Sequence, residues 1–141
     1  MAFRVVEPNP KKFLRWYTKA ADKCYKGVLV KSDTGASPVA AAHTGATILG
    51  VVVEDQTTIN SEVLIQGIAG TVMEVDIDPT ATKQTFAVTD LGTEYDIVVV
   101  DDEQFLDPDD TTGGFLTLVG YDNARKVAYV TVLAADCLLP V

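Results

Sequence analysis

From Lys26 onward the chain is written in short apolar runs cut by turn formers, with polar residues at alternate positions inside many of them. Residues 27–31 (GVLVK), 38–42 (PVAAA), 48–54 (ILGVVVE), 62–66 (EVLIQ), 71–77 (TVMEVDI), 84–89 (QTFAVT), 95–100 (YDIVVV), 115–121 (FLTLVGY) and 126–133 (KVAYVTVL) are the predicted strands. In 71–77 the side chains of Met73, Val75 and Ile77 share one face while Glu74 and Asp76 share the other, so this strand is expected to be half exposed. Ile97 to Val100 is apolar on both faces and is expected in the interior. Ser32-Asp33-Thr34-Gly35, Gly67-Ile68-Ala69-Gly70 and Asp122-Asn123 read as turns, the last closing a C-terminal hairpin. No segment after residue 25 keeps a helical period, and the reading is all-β: a small β-sandwich or β-barrel of about eight to nine short strands.

The first 25 residues follow another pattern. Asn9 is a candidate N-cap with Pro10 at the first helical position, and Phe13, Trp16, Tyr17, Ala20, Ala21 and Cys24 recur at three- and four-residue spacing. Lys11, Arg15, Lys19 and Lys23 then fall on one side. Lys11 and Lys12 oppose the helix dipole and the segment is short, so a helix here needs a docking surface, and an extended conformation competes with it. The expected organisation is a basic-aromatic arm over 1–25 followed by a β-rich domain over 26–141.

Charge sharpens that division. Residues 1–31 hold eight Lys/Arg against two acids, whereas the remaining 110 hold three against 18, for a chain of net charge −9. An arm of this sign seeks an acidic surface, and an acidic body repels nucleic-acid phosphates. There is no apolar stretch typical of a secretory signal and no run of membrane-spanning length, so no membrane partner is expected. The patch formed by Arg4, Lys11, Lys12, Phe13, Arg15, Trp16, Tyr17 and Lys19 has the composition of a protein-binding anchor, in which large rings bury area beside cations. The same rings could instead cover the open end of the chain's own barrel.

Candidate chemistry changes the picture little. His43 is the only histidine and lacks a nucleophile motif around it, so no catalytic residue is expected. Cys24 and Cys137 lie far apart without metal-ligand spacing, consistent with two reduced thiols and no zinc. The acids Asp101, Asp102, Glu103, Asp107, Asp109 and Asp110 read as a solvated loop, because Pro108 interrupts them and the spacing of a calcium loop is missing. No glycine-rich phosphate cradle is present, and no cofactor is expected.

The stretch from Lys26 to Ile77 carries a strand-and-glycine rhythm: Gly27-Val28-Leu29-Val30, Ala40-Ala41-Ala42, Leu49-Gly50-Val51-Val52, and Val63 to Ile65 followed by Gly67 and Gly70. With the closing FLTLVGYDNARKVAYVTVL it resembles the capsid cement, or head decoration, proteins of tailed bacteriophages. The resemblance implies a non-enzymatic, β-rich homotrimer made in the host cytoplasm. It would sit on the capsid exterior of the virion and bridge neighbouring subunits of the major coat protein through arms and loops. Two other classes share the β-rich pattern: a tail-tube or fibre module of a virion, and a small trimeric β-barrel hydrolase, for which no motif is present.

Overall fold

The computed structural model describes residues 3–6, 14–17 (backbone alone), 24–32, 35–39, 47–59 and 61–137. Among them, eleven strands run as β1 (Phe3–Val5), β2 (Leu14–Tyr17), β3 (Leu29–Ser32), β4 (Ala36–Pro38), β5 (Ile48–Val52), β6 (Val63–Gln66), β7 (Met73–Asp76), β8 (Glu94–Val100), β9 (Glu103–Asp107), β10 (Leu116–Asp122) and β11 (Val127–Val132). They form a six-stranded antiparallel sheet ordered β1-β7-β11-β10-β8-β9 and a five-stranded one ordered β2-β6-β5-β3-β4. No α-helix is present among the described residues, and the fold is an all-β, two-sheet body. The larger sheet curls, because Ile77 bridges Leu106 and the Asp78 N–H reaches the Leu106 carbonyl at 3.0 Å, bringing the end of β7 to β9.

Side-chain alternation builds the core between the sheets. Met73 and Val75 of β7, Leu116 and Leu118 of β10, and Val130 and Val132 of β11 meet Leu29 of β3 and Ile48 and Val51 of β5. A second buried cluster, Val30, Leu49, Val52, Val63 and Ile65 with Cys24, takes the alternate positions of β3, β5 and β6. The five-stranded sheet is therefore apolar on both faces, and all five residues of β5 are buried.

Gly50 makes this sheet possible. Its φ is +152°, and an added Cβ would lie 2.0 Å from the Gln66 carbonyl oxygen of the neighbouring strand. The β3–β5 register shifts beside it, so β5 both bends and lets β6 approach closely.

The structure corrects several expectations. The expected arm is built into the body over its described residues: β1 pairs with β7, and β2 pairs with β6. Of the two conformations left open for this segment, Leu14–Tyr17 takes the extended one. Phe3 is 1% exposed, and burying a ring of this size contributes about 2–3 kcal/mol, enough to hold a three-residue edge strand in place. The Phe3 N–H also donates to the Gly27 carbonyl, linking β1 to the start of β3.

Residues 84–89 are not a strand. The Asn123 side-chain amide accepts from the Phe86 N–H and donates to the Phe86 carbonyl, satisfying the backbone without a partner strand, and a short 3₁₀ turn follows at Val88–Asp90. Half of the acidic loop expected at 101–110 is strand β9, joined to β8 by a two-residue turn. Asp101 and Asp102 have φ of 51° and 64°, the double left-handed conformation of a hairpin turn whose twist matches its strands. The expectation that Ile97 to Val100 lies inside holds for Ile97 alone: Val99 is 43% exposed near the hairpin tip.

Candidate docking surface

On the outward face of the larger sheet, the cross-strand partners Arg4, Glu74 and Tyr129 line up over β1, β7 and β11. Glu74 is nearly buried and accepts from Arg125 at 2.6 Å, with Arg4 at 3.4 Å. Arg4 also reaches Asp76 at 3.1 Å. Partial burial lowers the Arg4 pKa, but Asp76 and Glu74 more than offset that and raise it above the ordinary value. Arg4, expected to meet a partner, is thus engaged within the chain. Glu74, expected on an exposed face, is covered by the two arginines.

The other residues expected in the binding patch divide two ways. Arg15, Trp16 and Tyr17 lie on β2, opposite Ile65, Leu64 and Val63 of β6. Lys11, Lys12, Phe13 and Lys19 lie outside the described residues, as does His43. Among the described residues, then, Arg4 of the expected patch lies on the larger sheet and Arg15, Trp16 and Tyr17 lie on the smaller one.

A different surface is assembled at the seam between the sheets. Here the tip of the β8–β9 hairpin overhangs the edge hairpin β3–β4. The seam is stitched by Gln104 of β9, 4% exposed. Its Oε1 accepts from the Leu29 N–H at 2.8 Å, and its Nε2 donates to the carbonyls of Leu29 at 2.9 Å and Val39 at 3.0 Å. The Val39 N–H still donates to the Leu29 carbonyl at 2.9 Å, so the amide stands in for one bond of this rung, between the Leu29 N–H and the Val39 carbonyl, and the β3–β4 ladder continues at Val30 opposite Pro38.

Outside this stitch lies a groove of about 430 Å³, walled by Tyr25, Val28, Pro38, Ile59 and Val99 and bordered by Asp102. Tyr25, Ile59 and Val99 are 49%, 51% and 43% exposed. An isolated exposed apolar side chain is ordinary, but several gathered in one concavity mark a contact surface. A smaller cleft lies between Phe3 and Val5 of β1 and Val51 and Gln66 of the other sheet.

The polar groups elsewhere serve the fold. Asp109 accepts from the Thr82 and Lys83 N–H groups, Asp110 from Thr112, and Asp78 from Thr80, so these carboxylates cap turns. Burial, and then the neighbouring Asp110, Asp109 and Asp78, push the Asp107 carboxyl above its usual range. Among the described residues no group of three or more His, Cys, Asp or Glu is placed to hold a metal ion. The Lys83 ammonium meets Asp90 at 2.8 Å, which holds that carboxyl below its usual range, and lies 5.5 Å from the Phe86 ring centre. Both cysteines are buried and unpaired with each other, and burial, with Asp136 adding, pushes the Cys137 thiol up to about 11. No helix among the described residues is long and apolar enough to cross a membrane.

Sequence reading missed the groove because its walls come from four separate segments, around residues 25–28, 38, 59 and 99, none with a motif. The one local signal was Val99, an apolar residue two positions before a turn.

Comparison with known protein families finds no family that matches the chain, and comparison with curated proteins finds no match either.

Proposed function

We propose that this chain is a non-enzymatic structural protein of a phage virion, a homotrimer that binds the capsid exterior and bridges neighbouring coat subunits. The observation that carries this reading is the exposed apolar groove on the seam of an all-β body. Beside the Tyr25 hydroxyl, its polar members are a carboxylate at the rim and an amide already spent on the backbone, a composition suited to adhesion. The segment that resembles the cement proteins, Lys26 to Ile77, supplies β3 to β7 and with them one wall of that groove. Lys11, Lys12, Phe13 and Lys19 are the remaining candidates for further coat contacts.

The test is co-sedimentation of the purified protein with expanded capsids that lack it, at low and high salt, alongside its own sedimentation. Discrete trimers that bind capsids support the reading. Head-to-tail polymers that ignore capsids would move it to a tail-tube or fibre module. Deleting residues 1–24 is a poor test of the basic segment, since it removes β1, β2 and buried Phe3 as well. Lys11→Glu with Lys12→Glu leaves both strands in place and should weaken capsid binding most at low salt.

A further inference from the structure

We infer that the groove between the β3–β4 edge and the β8–β9 tip seats an extended, cationic peptide segment of the coat partner. That segment sets an aliphatic or aromatic side chain among Tyr25, Ile59 and Val99, and a lysine or arginine against Asp102. The inference rests on the virion reading above and adds to it the place and chemistry of the contact.

Three observations support it. The first is shape and polarity: about 430 Å³ lies within the range of specific binding sites, roughly 300–1,000 Å³, and three of the lining apolar residues are about half exposed. The Gln104 amide at its base is committed to Leu29 and Val39, so the floor asks for an apolar anchor rather than a hydrogen-bonding one.

The second is charge. Asp101, Asp102 and Glu103 are consecutive and exposed, and among the described residues no hydrogen bond or ion pair holds Asp102. Three neighbouring carboxylates on a chain of net charge −9 favour a cationic occupant and disfavour an acidic one. The third is preorganisation. The rim is a two-residue turn with both residues in the left-handed region, and the base is stitched to the opposite sheet, so little ordering is required on binding.

The experiment measures binding to capsids lacking the protein for wild type, the double variant Tyr25→Ser/Val99→Ser, Asp102→Asn, and Val88→Ser. Val88 is 74% exposed, the most open of the large apolar residues among those described, and lies in the 84–91 segment outside the groove, which makes it the control for general stickiness. Asparagine tolerates the left-handed backbone, so Asp102→Asn changes charge and keeps the turn.

The expected result is a loss of about tenfold or more in affinity for the double variant. Asp102→Asn should lose several-fold at low salt, a difference that closes at high salt, and Val88→Ser should match wild type. Circular dichroism verifies folding, and Ile59→Ser replaces the double variant should that one fail to fold. A wild-type protein that ignores capsids would refute the virion reading itself. Wild-type binding with unchanged groove variants would refute the groove. A weakened double variant beside an Asp102→Asn protein equal to wild type at every salt concentration would refute the cationic partner.

Discussion

Gln104→Met removes the stitch between the sheets while nearly conserving side-chain length and volume. In the native chain the amide takes one N–H and gives to two carbonyls, all within a seam where Leu29 is fully buried. The Leu29 carbonyl keeps its second bond, from the Val39 N–H at 2.9 Å. The methionine therefore strips the Gln104 bond from three groups and leaves two of them, the Leu29 N–H and the Val39 carbonyl, without a partner among the described residues. At about 1–3 kcal/mol for each buried group left unsatisfied, the loss is about 2–6 kcal/mol. At roughly 2–4 °C per kcal/mol, a loss near 3 kcal/mol lowers the melting temperature by about 6–12 °C. Urea unfolding followed by circular dichroism should show a lower midpoint with an unchanged slope, since the surface exposed on unfolding is the same. Gln104→Glu should be worse at neutral pH, because a carboxylate would face two carbonyls. A Gln104→Met protein within about 1 kcal/mol of wild type, or a Gln104→Glu protein as stable as Gln104→Met, would refute the reasoning.

Gly50→Ala should destabilise by at least about 2–3 kcal/mol, because the methyl meets the Gln66 carbonyl and the φ of +152° suits glycine; a melting temperature within about 2 °C of wild type would contradict this. Asp107→Asn should stabilise at neutral pH. The native carboxyl has a folded pKa raised above 3.8, so its ionisation opposes folding above that range and is relieved below it. The gain should stay below about 1 kcal/mol, because the group is partly open and screened, and should vanish in melts below pH 3.8. Cys137 should resist thiol reagents in the native state. Its folded pKa of about 11 exceeds the usual 9.0, so the stability it contributes is complete below pH 9.0 and falls toward pH 11, a fall that Cys137→Ala should abolish in alkaline melts.

Strands with a clean period or a strong turn were legible in the sequence. The β10–β11 hairpin is set by Asp122, whose carboxylate accepts from Ala124 and Arg125, and the alternation of Met73, Val75 and Ile77 places them all in the core. Failures came where a side chain did the work of backbone. Phe86 is satisfied by Asn123 and Leu29 by Gln104, contacts 37 and 75 residues apart that no local pattern announces. The strand buried on both faces was misplaced for a related reason. ILGVV at 48–52 and IVVV at 97–100 look alike, and which is enclosed depends on the second cluster beneath β5 and the overhang of β8. The docking groove was illegible because it is a property of the seam, whereas the basic patch was legible as composition but divides between strand β2, an intramolecular ion pair at Arg4 and residues outside those described.

That division changes what the charge asymmetry means. A segment rich in Lys and Arg beside a strongly acidic body reads first as a reach toward something external, yet Arg4 lies along its own sheet's outer face and pairs with Glu74 and Asp76. The acids left without such cover include those on the hairpin tip, Asp101, Asp102 and Glu103, next to the apolar groove. Exposed acid beside exposed apolar surface is the complement of a basic-aromatic or basic-aliphatic segment, so the body presents the receptor half of the contact its own sequence first suggested as the ligand half. Because Gln104 both closes the seam and floors the groove, that receptor is as rigid as the sandwich, and a variant that loosens the seam should lose binding before it loses its fold.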